Sequence, residues 1–446
     1  MQQKNRSRHR HMTSFQVISL GFLSVILLGS LLLMLPIATK SGQCTSFLDA
    51  LFTSTSAVCV TGLVVNDTAT YWSLFGQGII LLLIQIGGMG IITIAIAIAV
   101  ISGRKIGLMQ RSTMQEAISA PTVGGIVRRT QFIIRTTILI EIIGAALLAP
   151  VFCRDFGFWK GIWYSLFHSI SAFCNAGFDL IGIRTPFSSL TSYSVQPIVN
   201  LVIMALIVAG GIGFLTWEDI KIHKWHFKKY KMQSKVIFMV TGLLIFLPAL
   251  YFFYFEFSNV PLMERVWVSL FQSVTPRTAG FNTADLTLLS EVGQMLIIIL
   301  MLIGGSPGST AGGMKTTTLA VLVSSALSVF RKKEHTHFFG RRIPDDTIKN
   351  AATVFLMYIV LFLVGGMVIS STEDIPLMTA LFETASAIGT VGLSLGITPD
   401  LGLVSHIILI CLMFFGRVGG LTLIFATISE KKSNGSKYPQ EKITVG

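Results

Sequence analysis

Eight stretches of this 446-residue chain are free or nearly free of charge, at 17–36, 72–102, 132–152, 195–217, 236–255, 292–330, 353–372 and 404–429. Each reaches the roughly 20 residues that an α-helix needs to cross a hydrocarbon core. Backbone in lipid must satisfy its own hydrogen bonds, so runs this long are expected to be helices. β-barrel strands alternate and would leave a far weaker signal. Charged residues make up only 12% of the chain and hydrophobic ones 52%. That is too little charge to cover a water-facing surface and too much apolar surface for disorder. The expectation is an all-α, multi-pass protein of the cell (plasma) membrane. The first run follows a basic stretch, Met1 to His11, and has no small-x-small cleavage site after it. Its length makes it a span and not a signal-peptide core.

The net charge of +13 is mainly an orientation signal. The N-terminal tail, the links 103–131, 218–235 and 331–350, and the C-terminal tail together hold 25 of the 34 Lys and Arg residues. The opposite links hold six: Lys40, Arg154, Lys160, Arg184, Arg265 and Arg277. By the positive-inside rule both termini are expected in the cytoplasm. A nucleic-acid partner is not needed to explain the charge. The five cysteines (Cys44, Cys59, Cys153, Cys174 and Cys411) are scattered, with no metal-ligand spacing, and read as free thiols.

The four links on the presumed outer side share a pattern. Ala50-Leu51-Phe52, Ser165-Leu166-Phe167, Ser269-Leu270-Phe271 and Ala380-Leu381-Phe382 each precede a Ser/Thr-rich segment and then a glycine: Gly62, Gly177, Gly280 or Gly392. Three read F-x-[ST]-x-S-A-x-x-x-x-G, and the third is one residue shorter. The unit is helix, short re-entrant pore helix, glycine loop, helix. Each unit crosses twice, so all four point the same way. Pseudo-four-fold symmetry around a central pore along the membrane normal follows from that arrangement.

The chemistry of the loops favours a monovalent cation. Loop backbone at membrane depth is tolerated only where protein or a water-filled cavity meets it. Inward carbonyls can replace the hydration shell of a permeating ion. A glycine supplies dihedrals that a side chain would oppose, and the C-terminal ends of the pore helices add partial negative charge. The segments 57–63, 172–178, 275–281 and 386–393 contain no Asp or Glu. A carboxylate filter or a carboxylate-built divalent site is therefore not expected, and K⁺ is the leading cation.

The sixth run is interrupted by Gly304-Gly305-Ser306-Pro307-Gly308-Ser309-Thr310-Ala311-Gly312-Gly313-Met314-Lys315. Five glycines and a proline in so short a stretch do not continue a helix. Two readings stand: a kinked packing helix, or a flexible intramembrane loop blocking the pore beneath the filter, as broken helices often form transport sites. The gate residues are then Gly304, Gly305, Ser306, Gly308, Gly312, Gly313, Lys315 and Arg417. Lys315 marks the cytoplasmic side of that gate. Arg417 lies in a span, where a charge is costly. It serves either as a barrier to cations, or as half of an ion pair or a snorkelling side chain. Gly87-Gly88-Met89-Gly90 and Gly210-Gly211-Ile212-Gly213 occupy the matching place in the first two inner helices and read as bends or close-packing surfaces. Glu141, with Arg135 six residues before it, reads as structural.

These residues resemble the Ktr/Trk/HKT superfamily of potassium transporters over nearly the whole chain. Thr275-Pro276-Arg277-Thr278-Ala279-Gly280-Phe281-Asn282 looks like the family's third filter segment. Eight spans without an extra N-terminal pair look like the bacterial Ktr membrane subunit (KtrB/KtrD type). The resemblance carries the filter glycines onto Gly62, Gly177, Gly280 and Gly392. With their preceding residues they give a potassium filter of Val60, Thr61, Asn175, Ala176, Thr278, Ala279, Thr390 and Val391 beside the glycines. It implies K⁺ uptake, Na⁺ as a possible activator, a homodimer with one pore per subunit, and a cytoplasmic octameric ring of nucleotide-binding RCK subunits (KtrA/KtrC type). Cys59 and Cys174 in the loops suggest sensitivity to thiol reagents.

The units are expected at 1–103, 104–235, 236–350 with the broken inner helix, and 351–446 with the C-terminal tail. The alternative is a secondary cation carrier working by alternating access, although such carriers often show inverted repeats. An enzyme is not expected, since no HExxH, GxSxG or paired-carboxylate arrangement occurs. No nucleotide fingerprint occurs either, so nucleotide control must come from another subunit, with the basic links and the tail from Lys431 to Gly446 as its contacts.

Overall fold

The computed structural model describes residues 13–91, 93–94, 107–117 and 124–420. The N-terminal tail, part of the 103–131 link and the tail from Lys431 to Gly446 lie outside them. The described chain is helical apart from a two-stranded hairpin pairing His337–Phe338 with Arg341–Arg342.

The first unit comprises α1 (Ser14–Leu33), α2 (Phe47–Cys59) and α3 (Leu74–Met89). α4 (Leu108–Ala117) follows in the link. The second comprises α5 (Ile126–Phe156), α6 (Phe158–Phe173), α7 (Pro197–Gly211) and α8 (Phe214–His223). The third comprises α9 (Met232–Tyr251) with a π-helical turn (Phe252–Glu256), α10 (Leu262–Val274), α11 (Glu291–Leu302) and α12 (Thr316–Phe330). The fourth comprises α13 (Asp345–Glu373), α14 (Leu377–Gly389) and α15 (Leu403–Val418). Helix starts carry the expected caps. Thr13 and Gln16 form a capping box on α1, and Ser46, Ser73 and Ser290 cap α2, α3 and α11 through their hydroxyls.

The re-entrant helices α2, α6, α10 and α14 are 13, 16, 13 and 13 residues long. They sit at the centre of the molecule. The phenylalanine shared by the four repeats, at Phe52, Phe167, Phe271 and Phe382, is fully buried every time. On the outer helices large side chains face out, as Leu28 and Leu31 do at 59% and 58% exposure, because lipid is as good a solvent for them as protein. Association rests on close approach of small residues instead. A β-carbon on Gly29 of α1 would lie 2.4 Å from Ser54 Oγ, and one on Gly144 of α5 would lie 2.4 Å from Ser169 Oγ. Both hydroxyls donate 2.7 Å hydrogen bonds to the outer helix, to the carbonyls of Ile26 and Glu141.

The eight apolar runs are not eight uninterrupted helices. Among the described residues, only Ser14–Leu33, Ile126–Phe156, Met232–Glu256 and Asp345–Glu373 are long and apolar enough to cross without a break. These are the outer helices. The inner helices stop or bend at glycine. Gly90, Gly213 and Gly419 have φ of 84°, 90° and 89°, and α7 and α8 diverge by 97°. Each of these glycines follows by three residues one packed against a pore-helix terminus. A β-carbon on Gly87, Gly210 or Gly416 would come within 2.0, 1.9 or 2.1 Å of the carbonyl oxygens of Val58, Phe173 and Ile388. The glycine runs of the first two inner helices are thus both packing surfaces and breaks. In the third unit the break widens into the segment between α11 and α12.

Candidate functional site

The pore helices α2, α6 and α14 end alike. Thr61, Ala176 and Val391 donate backbone bonds of 2.8 Å to Ser56, Ser171 and Ser386, while Val60, Asn175 and Thr390 bond to Ala57, Ala172 and Ala387. This is the Schellman pattern, which needs a left-handed residue where the helix stops. Val60, Asn175 and Thr390 take that role at φ of 58°, 60° and 51°, and Thr278 matches them in the third unit at 71°. Two residues on, Gly62, Gly177, Gly280 and Gly392 have φ of 92°, 71°, 78° and 94°. The conserved spacing of paired positive φ values turns four short segments in the same way.

Those segments meet in a closed ring. A β-carbon on Gly62 would lie 2.4 Å from the Ala176 carbonyl oxygen, and one on Gly177 2.7 Å from that of Ala279. One on Gly280 would lie 2.2 Å from the Val391 oxygen, and one on Gly392 2.2 Å from that of Thr61. Each glycine therefore leaves room for the carbonyl of the next segment, in chain order, and the fourth closes on the first. Side-chain hydroxyls hold the ring from behind. Ser56 and Ser386 accept from the Gly62 and Gly392 amides at 3.0 and 2.9 Å. Ser171 and Thr275 donate to the carbonyls of Phe178 and Phe281 at 2.7 and 2.6 Å. The residue after each shared phenylalanine also anchors an outer loop in three units: His168 Nε2 accepts from the Leu180 amide, Gln272 donates to Asn282, and Glu383 accepts from Thr398 at 3.0 Å and from Ser394.

Outside the ring lies a cavity of about 170 Å³ touched by all four glycines and by Asp67 and Asp179. Asp67 is pinned by the amides of Ala69, Thr70 and Phe187. Burial, reinforced by the Asp67 carboxylate, pushes the Asp179 carboxyl up to about 7. The sequence reading did not single out this pair. Arg277, counted with the extracellular links, is instead buried next to Thr278 of the third glycine segment at 7% exposure.

Inside the ring lies the segment 303–315. It is a folded loop: Ile303 and Met314 form a bridge, and Gly304 and Thr316 donate to Met314 and Gly305. Ser306 and Thr310 donate to Gly211 and Gly210, Phe214 donates back to Gly308 at 2.7 Å, and Gly313 donates to Gly416. The loop thus fills the breaks of the second and fourth inner helices. A β-carbon on Gly312 would lie 2.1 Å from Thr390 Oγ1, so the loop abuts the inner face of the ring. A kinked packing helix does not describe this segment. Lys315 Nζ donates to the carbonyls of Ala311 and Gly312 at 2.8 and 3.2 Å, tying the loop to itself.

Arg417 projects from the end of α15. Its guanidinium donates to the carbonyls of Thr310, Gly87 and Gly88, the last at 3.1 Å. Its partners come from the loop and the first inner helix and are carbonyls, so neither the ion-pair nor the snorkelling reading applies. A cavity of about 370 Å³ opens below, lined by Gly90, Gly308, Lys315, Tyr358 and Arg417 among others. Glu141 is not paired with Arg135: its carboxylate accepts from Gln85 at 3.1 Å, with the Cys174 thiol 3.9 Å away. Cys59 and Cys174 are both fully buried.

Comparison with known proteins agrees with this architecture. A family model described as "TrkH: Cation transport protein" matches residues 1–437. The chain is 41% identical over 454 residues to the potassium/sodium uptake protein NtpJ of Enterococcus hirae, covering 99% of each chain. It is 40% identical to the Ktr system potassium uptake protein B of Bacillus subtilis, over 97% of this chain and 96% of that one. The crystal structure of the potassium transporter TrkH from Vibrio parahaemolyticus superposes with a TM-score of 0.74 at 21% identity, covering 95% of this chain and 86% of the other. A transport family also meets the expectation that the chain is not an enzyme. On the family match and these two full-length relatives, the chain belongs to the TrkH family of cation transport proteins.

Proposed function

We propose that this chain is the ion-conducting membrane subunit of a potassium uptake system, passing K⁺ through the ring of four glycine segments. The observation that carries the reading is the ring itself: four backbone carbonyls, at Thr61, Ala176, Ala279 and Val391, each fitted against the glycine of a neighbouring segment, with no carboxylate in any segment. Carbonyls arranged this way compensate dehydration of a weakly hydrated monovalent cation. Val60, Asn175, Thr278 and Thr390 set the turn, and the glycines permit it. The names of the two full-length relatives, which specify potassium or potassium/sodium uptake, support K⁺ as cargo and leave Na⁺ as an activator.

The loop that includes Gly304, Gly305, Ser306, Gly308, Gly312 and Gly313 is the gate, with Lys315 bracing it internally and Arg417 holding it closed. Arg417 also places a positive charge beside the permeation path. The four units are 1–103, 104–235, 236–350 and 351–446. Both termini face the cytoplasm, two copies form the dimer, and a nucleotide-binding RCK ring docks on the basic links 218–235 and 331–350. The test is growth of a bacterial strain lacking K⁺ uptake. Co-expression with an RCK subunit restores growth at low K⁺, and a well-expressed chain that restores none under any pairing overturns the assignment.

A further inference from the structure

One hydrogen-bonded chain joins the loop to the ring through side chains that neither motif accounts for. Thr310, in the middle of the loop, is fully buried. Its Oγ1 donates at 3.0 Å to the carbonyl of Phe173, the last residue of pore helix α6. The Asn175 amide uses the same carbonyl. Oriented to satisfy both of its ends, its nitrogen donates to the carbonyls of Ala172 and Phe173 at 3.2 Å and of Ile207 at 3.3 Å. Its oxygen then accepts from Thr278 Oγ1, also at 3.2 Å. The end of the amide facing the loop is 3.5 Å from Thr310 Oγ1. The path therefore runs from the loop (Thr310), through the second filter segment (Asn175), to the third (Thr278).

The packing around the chain leaves no slack. Gly210 lies against it so closely that a β-carbon would fall 1.9 Å from the Phe173 oxygen, 2.7 Å from Thr310 Oγ1 and 2.8 Å from the Asn175 amide. Asn175 and Thr278 are also the two left-handed residues that set the turn of their segments. A change in the amide's partners thus acts on the dihedrals that aim two of the four carbonyls. The equivalent left-handed residues in the first and fourth units have no such link: the Thr390 hydroxyl is buried without a hydrogen-bond partner, and position 60 is valine.

We propose that Thr310 and Asn175 are positioning residues that couple the loop to the filter, so that displacing the loop alters the K⁺-over-Na⁺ discrimination of the second and third segments. When the loop leaves, Phe173 loses the Thr310 donor. The Asn175 amide is then free to give that carbonyl its full hydrogen bond and to shift against Thr278. Coupling of this kind is reciprocal. A change at Thr278 must relax the loop, although Thr278 lies in the filter and not in the gate.

The inference rests on the loop being the gate, and the experiment separates the two. Purified chain is reconstituted in liposomes, and radiolabelled Rb⁺ uptake is measured with and without competing Na⁺. Thr310→Val keeps the shape and removes the donor. It is expected to raise flux about three- to tenfold, the range for loss of one hydrogen bond holding a closed state, and to weaken Na⁺ exclusion in the same samples. Thr310→Ser restores both. Thr278→Val raises flux as well, and the double variant gives less than the product of the two single effects. Higher flux with unchanged Na⁺ exclusion in Thr310→Val overturns the coupling while leaving the gate intact. Additive effects in the double variant also overturn it. Failure of the gate reading has a different signature, which is unchanged flux on deletion of 305–313.

Discussion

Gly392→Ser tests the filter most directly, because the structure separates two costs at that site. The first is conformational. Gly392 sits at φ +94°, where a residue with a β-carbon costs about 1–2 kcal/mol. The second is a collision: the new β-carbon would be 2.2 Å from the Thr61 carbonyl oxygen and 2.9 Å from the Gly62 Cα, both backbone atoms. Ordinary contact begins near 3.4 Å, so Thr61 must retreat by about 1 Å. A hydrogen bond to a charged group contributes roughly 1.5–3 kcal/mol, a fair scale for one carbonyl acting on a bare cation. Discrimination is the difference between the two cations' binding, so losing most of one such contact lowers K⁺-over-Na⁺ discrimination by up to about tenfold, about 1.4 kcal/mol being a factor of ten. Gly396 supplies the control. It has φ +95° and nothing within 4 Å of a β-carbon, so Gly396→Ser carries the conformational cost without the collision. Rb⁺ uptake in proteoliposomes against rising Na⁺ reads the discrimination, and thermal melting of the purified chain reads the stability. Both variants should lose stability, and only Gly392→Ser should become Na⁺-sensitive. Equal Na⁺ sensitivity in both variants, or unchanged competition in Gly392→Ser, refutes the argument that the ring selects the ion.

Deleting 305–313 removes the loop's bonds to Gly210, Gly211, Phe214 and Gly416, and uptake should rise severalfold in a well-expressed protein. Cys59 and Cys174 are fully buried, whereas Cys44, Cys153 and Cys411 are at least partly exposed; with those three replaced by Ser, water-borne thiol reagents should leave uptake by the intact chain unaffected and inhibit the loop deletion. Arg417→Gln gives up three charge-assisted bonds that tie loop to inner helix, and should raise basal flux about tenfold or more; unchanged flux assigns Arg417 a purely structural role. Raising external pH through about 7 ionises Asp179 and adds negative charge outside the ring, so the K⁺ concentration for half-maximal uptake should fall about twofold, and Asp179→Asn should abolish that pH dependence. The sign for stability is opposite. The folded chain favours the protonated acid, so this contribution is greatest at low pH and is lost as pH rises towards 7.

Hydropathy and the four repeated motifs made the apolar runs, the short helices α2, α6, α10 and α14 and the four glycines after them legible from sequence, because each depends on local composition. The breaks in the inner helices were harder to see. Gly90, Gly213 and Gly419 lie inside or at the edge of apolar runs, and a run's hydropathy does not change when a φ turns positive. The left-handed residue before each glycine gave less signal still. Val60, Thr278 and Thr390 are β-branched, the last side chains expected there. The motif did contain one usable clue. A Ser or Thr six or seven residues before the Gly or Phe it bonds recurs in all four units, at Ser56, Ser171, Thr275 and Ser386, and each hydroxyl turns out to hold the ring. The partners of Arg417 were beyond reach. They are carbonyls more than 100 residues away, and no residue-type pattern marks a carbonyl.

The division between unbroken outer helices and broken inner ones follows from where backbone polar groups can be satisfied. Outer helices α1, α5, α9 and α13 present large apolar side chains to lipid, and an open carbonyl there would cost several kcal/mol. They can bend at Pro150 and Pro248 but not stop. The inner helices face the axis, where carbonyls released by a break find donors in the loop amides and in Arg417. Gly210 and Gly211 accept from Thr310 and Ser306, and Gly87 and Gly88 accept from Arg417. The closed loop is therefore held by the same carbonyls that the breaks expose. On the proposed gating, moving it aside frees those carbonyls towards the permeation path, where a cation can take the place of the lost donors. A barrier built in this way opens without leaving buried polar groups unpaired, which an apolar plug at the same depth would not achieve for the exposed helix ends.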